Sequence, residues 1–144
     1  HGLEHVMEPV GEVNGVRFVN DSKATNVEAA KRSIESFDRG VVAIVGGRYK
    51  GGDFGELGGP LKTRGAAVVA IGEAAPLVRD ALKDVVPVVE AASMREAVER
   101  GFAAAAPGGV VLLAPACSSF DWFRDYAERG RSFKEEVERL KGEA

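Results

Sequence analysis

Cysteine is almost absent from this sequence: Cys117 is the only one. A single thiol excludes an internal disulfide and fits a reducing compartment. Histidine is nearly as scarce, and both copies, His1 and His5, sit at the N-terminal end. Cys117 therefore has no evident imidazole partner and reads as a small buried residue rather than a nucleophile. No His, Cys or carboxylate cluster shows metal-ligand spacing. Basic surplus is lacking too: the net charge is −3, and the Lys and Arg residues are scattered, against a general nucleic-acid binder. No apolar run approaches the roughly 20 residues a membrane span needs. The opening His1-Gly2-Leu3-Glu4-His5 is too polar for a signal peptide. It also lacks an initiating Met, so the chain is expected to be a piece of something longer. The phosphate-loop spacing G-x-x-x-x-G-K-[ST] and the dinucleotide spacing G-x-G-x-x-G are both missing.

What remains is a chain of one-domain length with an ordinary apolar content. Its apolar residues fall into alternating short runs and helical stripes. Val10–Val13 and Val16–Val19 flank Asn14-Gly15, a dipeptide that favours a type I′ hairpin turn. Val27, Ala30, Ile34 and Phe37 recur at helical spacing behind Asn26, a good N-cap. Val41–Val45 is uninterrupted, as in a strand covered on both faces. A short helix over Phe54–Leu61, a strand over Ala66–Ile71 and a helix over Ala75–Lys83 follow. Next come a strand over Val85–Val89 and a helix opened by the capping box Ser93-x-x-Glu96. Val110–Leu113 is the last strand, and Ser132–Lys141 an amphipathic helix with Phe133, Val137 and Leu140 on one face. The alternation predicts an α/β fold: a mostly parallel sheet, helices on both faces, and an antiparallel edge from the hairpin.

In such a sheet the loops after the strands gather at one edge, where ligands bind. Three of them carry the chemistry. Asn20-Asp21-Ser22-Lys23-Ala24-Thr25-Asn26 supplies a carboxylate, an ammonium, hydroxyls and amides where a plain turn would use Gly or Pro. Gly46–Asp53 surrounds Arg48, Tyr49 and Lys50 with four glycines. It is either a flexible connection or a loop that approaches a ligand closely, with Lys50 pairing a carboxylate or a phosphate. Ala114–Asp121 presents Ser118 and Ser119 near an expected helix start, as caps or as an anion site. Of the aromatic residues that follow, Trp122 and Phe123 suit the core, while Phe120 or Tyr126 could face a pocket. The set suits the carboxylates of a small acidic ligand.

Taken together, these three loops resemble the C-terminal domain of the Mur ligase family, in its D-glutamate-adding branch. The pieces that carry the likeness are Asn20–Asn26, Gly46–Phe54 and Leu113–Asp121, within a match that covers essentially the whole chain. The resemblance implies a Rossmann-like C-terminal domain, residues 1–144, of a three-domain cytoplasmic enzyme. ATP, with Mg2+, would phosphorylate the carboxylate of UDP-N-acetylmuramoyl-L-alanine, and the amine of D-glutamate would attack the acyl phosphate. It places Lys23, Thr25, Lys50, Ser119, Phe120 and Tyr126 around D-glutamate and Asp21 on the nucleotide side. It puts the phosphate loop and metal ligands in the other domains, so no catalytic or metal residue is expected in this chain alone. Two positions depart from the family pattern. Val6 stands where an arginine usually helps hold ATP, and Arg48 where some members carry an acidic residue. The alternatives are a free-standing small-anion-binding module and a structural α/β domain whose polar loops serve as caps.

Overall fold

Six strands form one sheet among residues 3–143, the part of the chain that the computed structural model describes. β1 (Glu8–Val13) and β2 (Val16–Asn20) make the antiparallel hairpin. Asn14 and Gly15 both take left-handed backbone, φ 49° and 83°, as a type I′ turn demands. β3 (Val41–Gly46), β4 (Gly65–Ile71), β5 (Val88–Ala91) and β6 (Val110–Leu113) complete the sheet in parallel. The order across it is β1-β2-β6-β3-β4-β5. Rossmann-like layering follows, with helices on both faces.

α1 (Val27–Glu35), a 3₁₀ turn (Phe54–Leu57), α2 (Gly58–Arg64) and α3 (Ala75–Leu82) cover one face. α4 (Met94–Ala104) and α5 (Tyr126–Glu143) cover the other. Every residue of β3 and β6 is buried, which is why these runs contain no polar position. Asn26 caps α1 through a 2.8 Å bond from Ala29 N–H, and Ser93 caps α4 through Glu96 N–H.

Three expectations shift. β5 starts at Val88 rather than Val85, because Val85 and Val86 N–H both bond back to Leu82 as the end of the α3 turn. Pro87 then lends its carbonyl to Val68 N–H. The expected helix over Phe54–Leu61 divides into the 3₁₀ turn and α2. The last helix begins at Tyr126, not Ser132, since Asp125 caps it through Glu128 N–H at 2.8 Å. Ser118 and Ser119 thus lie ahead of α5, in a turn where Ser119 carbonyl accepts from Trp122 and Phe123 N–H. Among the described residues no helix is long and apolar enough to cross a membrane.

Candidate functional site

The strand order sets β2, β6 and β3 side by side, so the loops that leave their carboxyl ends are neighbours. Backbone bonds tie them together. Asp21 N–H donates to Leu113 carbonyl and Ala116 N–H to Ala24 carbonyl, joining the first loop to the third. Gly46 N–H donates to Pro115 carbonyl and Arg48 N–H to Ser118 carbonyl, joining the second to the third. Gly46 and Gly47 make that closeness possible. A Cβ on Gly46 would overlap Ile71 carbonyl, and one on Gly47 would overlap Ser118 carbonyl. Both also hold φ near 135°, a region L side chains avoid.

The polar first loop divides into inward and outward parts. Asn20, Asp21 and Ser22 are buried. Asn20 Oδ1 accepts Ser22 N–H, and Asp21 Oδ1 accepts Met7 N–H at 3.1 Å. Lys23 is exposed and Thr25 half-exposed. Asp21 and Lys23 share a groove of about 280 Å³ with Met7 and Ser33, between the N-terminal segment and α1. Val6 lines the same groove with an aliphatic side chain.

The second loop is more ordered than its glycines suggest. Tyr49 packs against Phe54 with the rings tilted by 49° and centroids 5.6 Å apart, and its hydroxyl donates to Gly52 carbonyl at 2.8 Å. Lys50 projects from that clasp, exposed. In the third loop Ser119 is buried while Phe120 is 62% exposed. Tyr126 opens α5, partly exposed, with its ring edge on His5. Trp122 and Phe123 pack against the α4–α5 side of the core. Among the described residues Lys23, Arg48 and Lys50 form no ion pair, unlike Arg79, Arg95 and Lys134. These three cations share the loops with the carboxylates of Asp21, Asp53 and Asp121, so the edge offers separate positive groups rather than a uniformly positive field.

With this geometry in place, the comparison with known proteins is decisive. Residues 7–117 match the family described as Mur ligase, glutamate ligase domain. The chain belongs to that family. This Mur ligase domain is 48% identical over 139 residues to UDP-N-acetylmuramoylalanine–D-glutamate ligase of Chlorobaculum parvum, covering 96% of the chain and 30% of the relative. It is 45% identical over 138 residues to the enzyme of that name from Solibacter usitatus, covering 96% and 31%. The chain thus spans about 30% of the length of the curated relatives it matches. In fold it resembles a murein peptide ligase from Psychrobacter arcticus, with TM-score 0.63, 16% identity, and coverage of 96% of this chain and 29% of that one. It also resembles the MurF ligase from Thermotoga maritima solved with ADP, with TM-score 0.59, 20% identity, and coverage of 96% and 32%.

Sequence reasoning passed over the residue that holds the Mur ligase domain's loops together. Arg129, on α5, is 1% exposed. Its Nε donates to Ser22 Oγ at 2.9 Å, Nη1 to Cys117 carbonyl at 3.0 Å and Nη2 to Ser22 carbonyl at 2.7 Å. Ser22 Oγ in turn donates to Tyr126 carbonyl. Burial, with no carboxylate in contact, pushes the guanidinium down to about 10, still charged at neutral pH. Burial also pushes the Cys117 thiol up to about 12, so Cys117 is an inert filler as its isolation from histidine suggests. The signal for Arg129 was present: it falls four residues before Phe133 and eight before Val137, on the apolar stripe of α5. A cation on a buried stripe needs partners, and the loops supply them.

Proposed function

We propose that this domain holds and orients D-glutamate for an ATP-dependent ligase that joins it to UDP-N-acetylmuramoyl-L-alanine in cytoplasmic peptidoglycan synthesis. The chain is read as the single C-terminal domain of a three-domain protein. The observation that carries this is the pair of exposed lysines without an ion pair, Lys23 and Lys50, on the two loops that flank and bond to the loop after β6 at the carboxyl edge of the sheet. Two separated ammonium groups match the two carboxylates of glutamate, and each charge-assisted bond contributes about 1.5–3 kcal/mol. Thr25, Ser119, Phe120 and Tyr126 complete the cradle in this reading, and Asp21 faces the nucleotide. Holding both carboxylates fixes the amine in space, so that its attack on the activated alanyl carboxyl becomes effectively unimolecular.

In the whole protein ATP would activate the alanyl carboxyl as an acyl phosphate, and Mg2+ would be held by residues outside this chain. Among the described residues no group of three His, Cys, Asp or Glu could hold a metal, and no phosphate loop is encoded. The residues of this chain therefore do not fit the metal, and no step here is assigned to it. The test is phosphate release from ATP by the full-length protein, with the precursor and one amino acid at a time. Release that requires D-glutamate supports the reading; equal release with a basic amino acid overturns it. The chain alone should release none.

A further inference from the structure

Behind the exposed part of the first loop lies a buried polar core centred on His5. The side chain is nearly inaccessible, at 4%, and its backbone is held at φ 67°, the left-handed region. Three sets of partners keep it there. Its N–H donates to Glu8 Oε1 at 3.1 Å. Its carbonyl accepts Lys23 N–H at 3.1 Å. Its ring meets Asn20 through Nδ1 at 2.9 Å and the edge of Tyr126 at a 6.0 Å centroid separation. α5 makes room for the ring with Gly130, where a Cβ would overlap His5 Nδ1.

The proton positions follow from Asn20. Its Oδ1 accepts Ser22 N–H, so its amide nitrogen must face the other way, donating to Glu8 Oε1 at 2.9 Å and to His5 Nδ1. Nδ1 is therefore a bare acceptor and Nε2 carries the hydrogen. Nε2 looks outward to Glu4 Oε2 at 3.7 Å. Lys134 of α5 closes the outer side, reaching Glu4 Oε2 at 2.7 Å and Glu8 Oε2 at 3.2 Å. The cluster touches two residues of the candidate site, at the main chain of Lys23 and the ring of Tyr126.

We propose that His5, as the neutral Nε2–H tautomer, is a positioning residue for the amino-acid site, setting the height of Lys23 and the tilt of Tyr126. This rests on the reading that Lys23 and Tyr126 contact D-glutamate. A satisfied core histidine with no bearing on the site is the competing account, and it differs in what kinetics would show.

The test uses the full-length ligase. His5→Phe keeps a ring against Tyr126 but removes the acceptor. His5→Asn keeps an acceptor near the Nδ1 position and tolerates left-handed backbone. Losing one buried hydrogen bond shifts an equilibrium by about five- to tenfold. His5→Phe is expected to raise KM for D-glutamate by about that factor while KM for ATP stays put, and His5→Asn to recover most of it. An unchanged KM for D-glutamate, an equal rise for every substrate, or no recovery by His5→Asn would overturn the proposal. Lys23→Ala is measured alongside. If it too leaves KM for D-glutamate unchanged, the site reading has failed; if only His5→Phe is silent, the positioning role alone has failed. Should His5→Phe not fold, ¹⁵N NMR of the unmutated enzyme decides. The expected result is an unprotonated Nδ1 resonance that moves when D-glutamate is added. A protonated Nδ1, or one indifferent to D-glutamate, overturns the role.

Discussion

In the loop after β2, three successive polar residues, Asn20 to Ser22, are buried and bonded before the chain presents Lys23 to solvent. In the loop after β3, every residue from Arg48 to Asp53 is exposed, and Lys50 rides on a clasp made by one tyrosine hydroxyl. Both loops deliver a lysine to the same edge. The first does so from a wall fixed by Arg129 and His5; the second from an exposed arm tied by the Tyr49 clasp. In the proposed reading, one carboxylate of the ligand meets the wall and the other meets the arm. Rigid support costs polar burial that must be fully satisfied, and among the described residues no buried side-chain polar atom lacks a partner.

Breaking the wall should cost most. Arg129→Leu removes three hydrogen bonds and leaves the Ser22 and Cys117 carbonyls buried without donors. Loss of an uncompensated buried cation offsets part of the damage. A net destabilisation of about 2–4 kcal/mol is expected, read by urea unfolding with the slope unchanged. A loss under about 1 kcal/mol would mean the wall stands without its clamp.

Breaking the arm should leave stability alone and weaken binding. Lys50→Ala is expected to raise KM for D-glutamate about ten- to hundredfold, corresponding to about 1.5–3 kcal/mol. KM for ATP and the melting temperature should stay nearly constant, because Lys50 is exposed and forms no ion pair with another described residue. An effect confined to ATP would move Lys50 to the nucleotide.

The smallest effect concerns the outer support of the wall. Burial works against the Glu8 carboxylate, but bonds from His5 N–H, Asn20 and Lys134 outweigh it and hold Glu8 below its ordinary range. A carboxylate depressed in the folded state stabilises above its unfolded value and loses that contribution as pH falls through the folded one. Stability should therefore decline on acidification below about pH 5. Glu8→Gln should make that decline shallower and cost a few tenths to about 1 kcal/mol at neutral pH. A thermal-melt series against pH, wild type beside variant, gives the answer; identical slopes would remove Glu8 from the account.

The difference between wall and arm was only half legible in the residues. The strands read cleanly because β3 and β6 have no polar position to confuse the pattern, and Asn26 and Ser93 announce their helices by chemistry. The three loops were visible as well, since a polar or glycine-rich run after an apolar strand is a local signal. What Arg129 and Asn20 bond to was not, because their partners lie across the fold: Arg129 reaches a serine more than a hundred positions earlier. Asn20, Asp21 and Ser22 read as ligand groups from composition alone; the structure adds that their side chains brace the loop, through Ser22 N–H, Met7 N–H and the Tyr126 carbonyl. Of the two readings of the Ser118–Ser119 pair, the helix cap fails for a similar reason. Serine before an aromatic run suggests a helix cap, but Asp125 takes that task and the serine turn serves the loop junction.

The strand order has a consequence for how the domain comes into being. Among the described residues β6 is the last strand in chain order, yet it lies between β2 and β3, which do not pair with each other. Until it emerges from the ribosome, the loops after β2 and β3 have nothing to align them, and Ser22 waits for an arginine not yet translated. Domains generally take shape as units once the chain that completes them has emerged. The carboxyl edge of the sheet is thus among the last features of this domain to assemble, and a chain cut short before Arg129 would keep α1 to α4 but lack the side chain that bonds Ser22 to the Cys117 carbonyl.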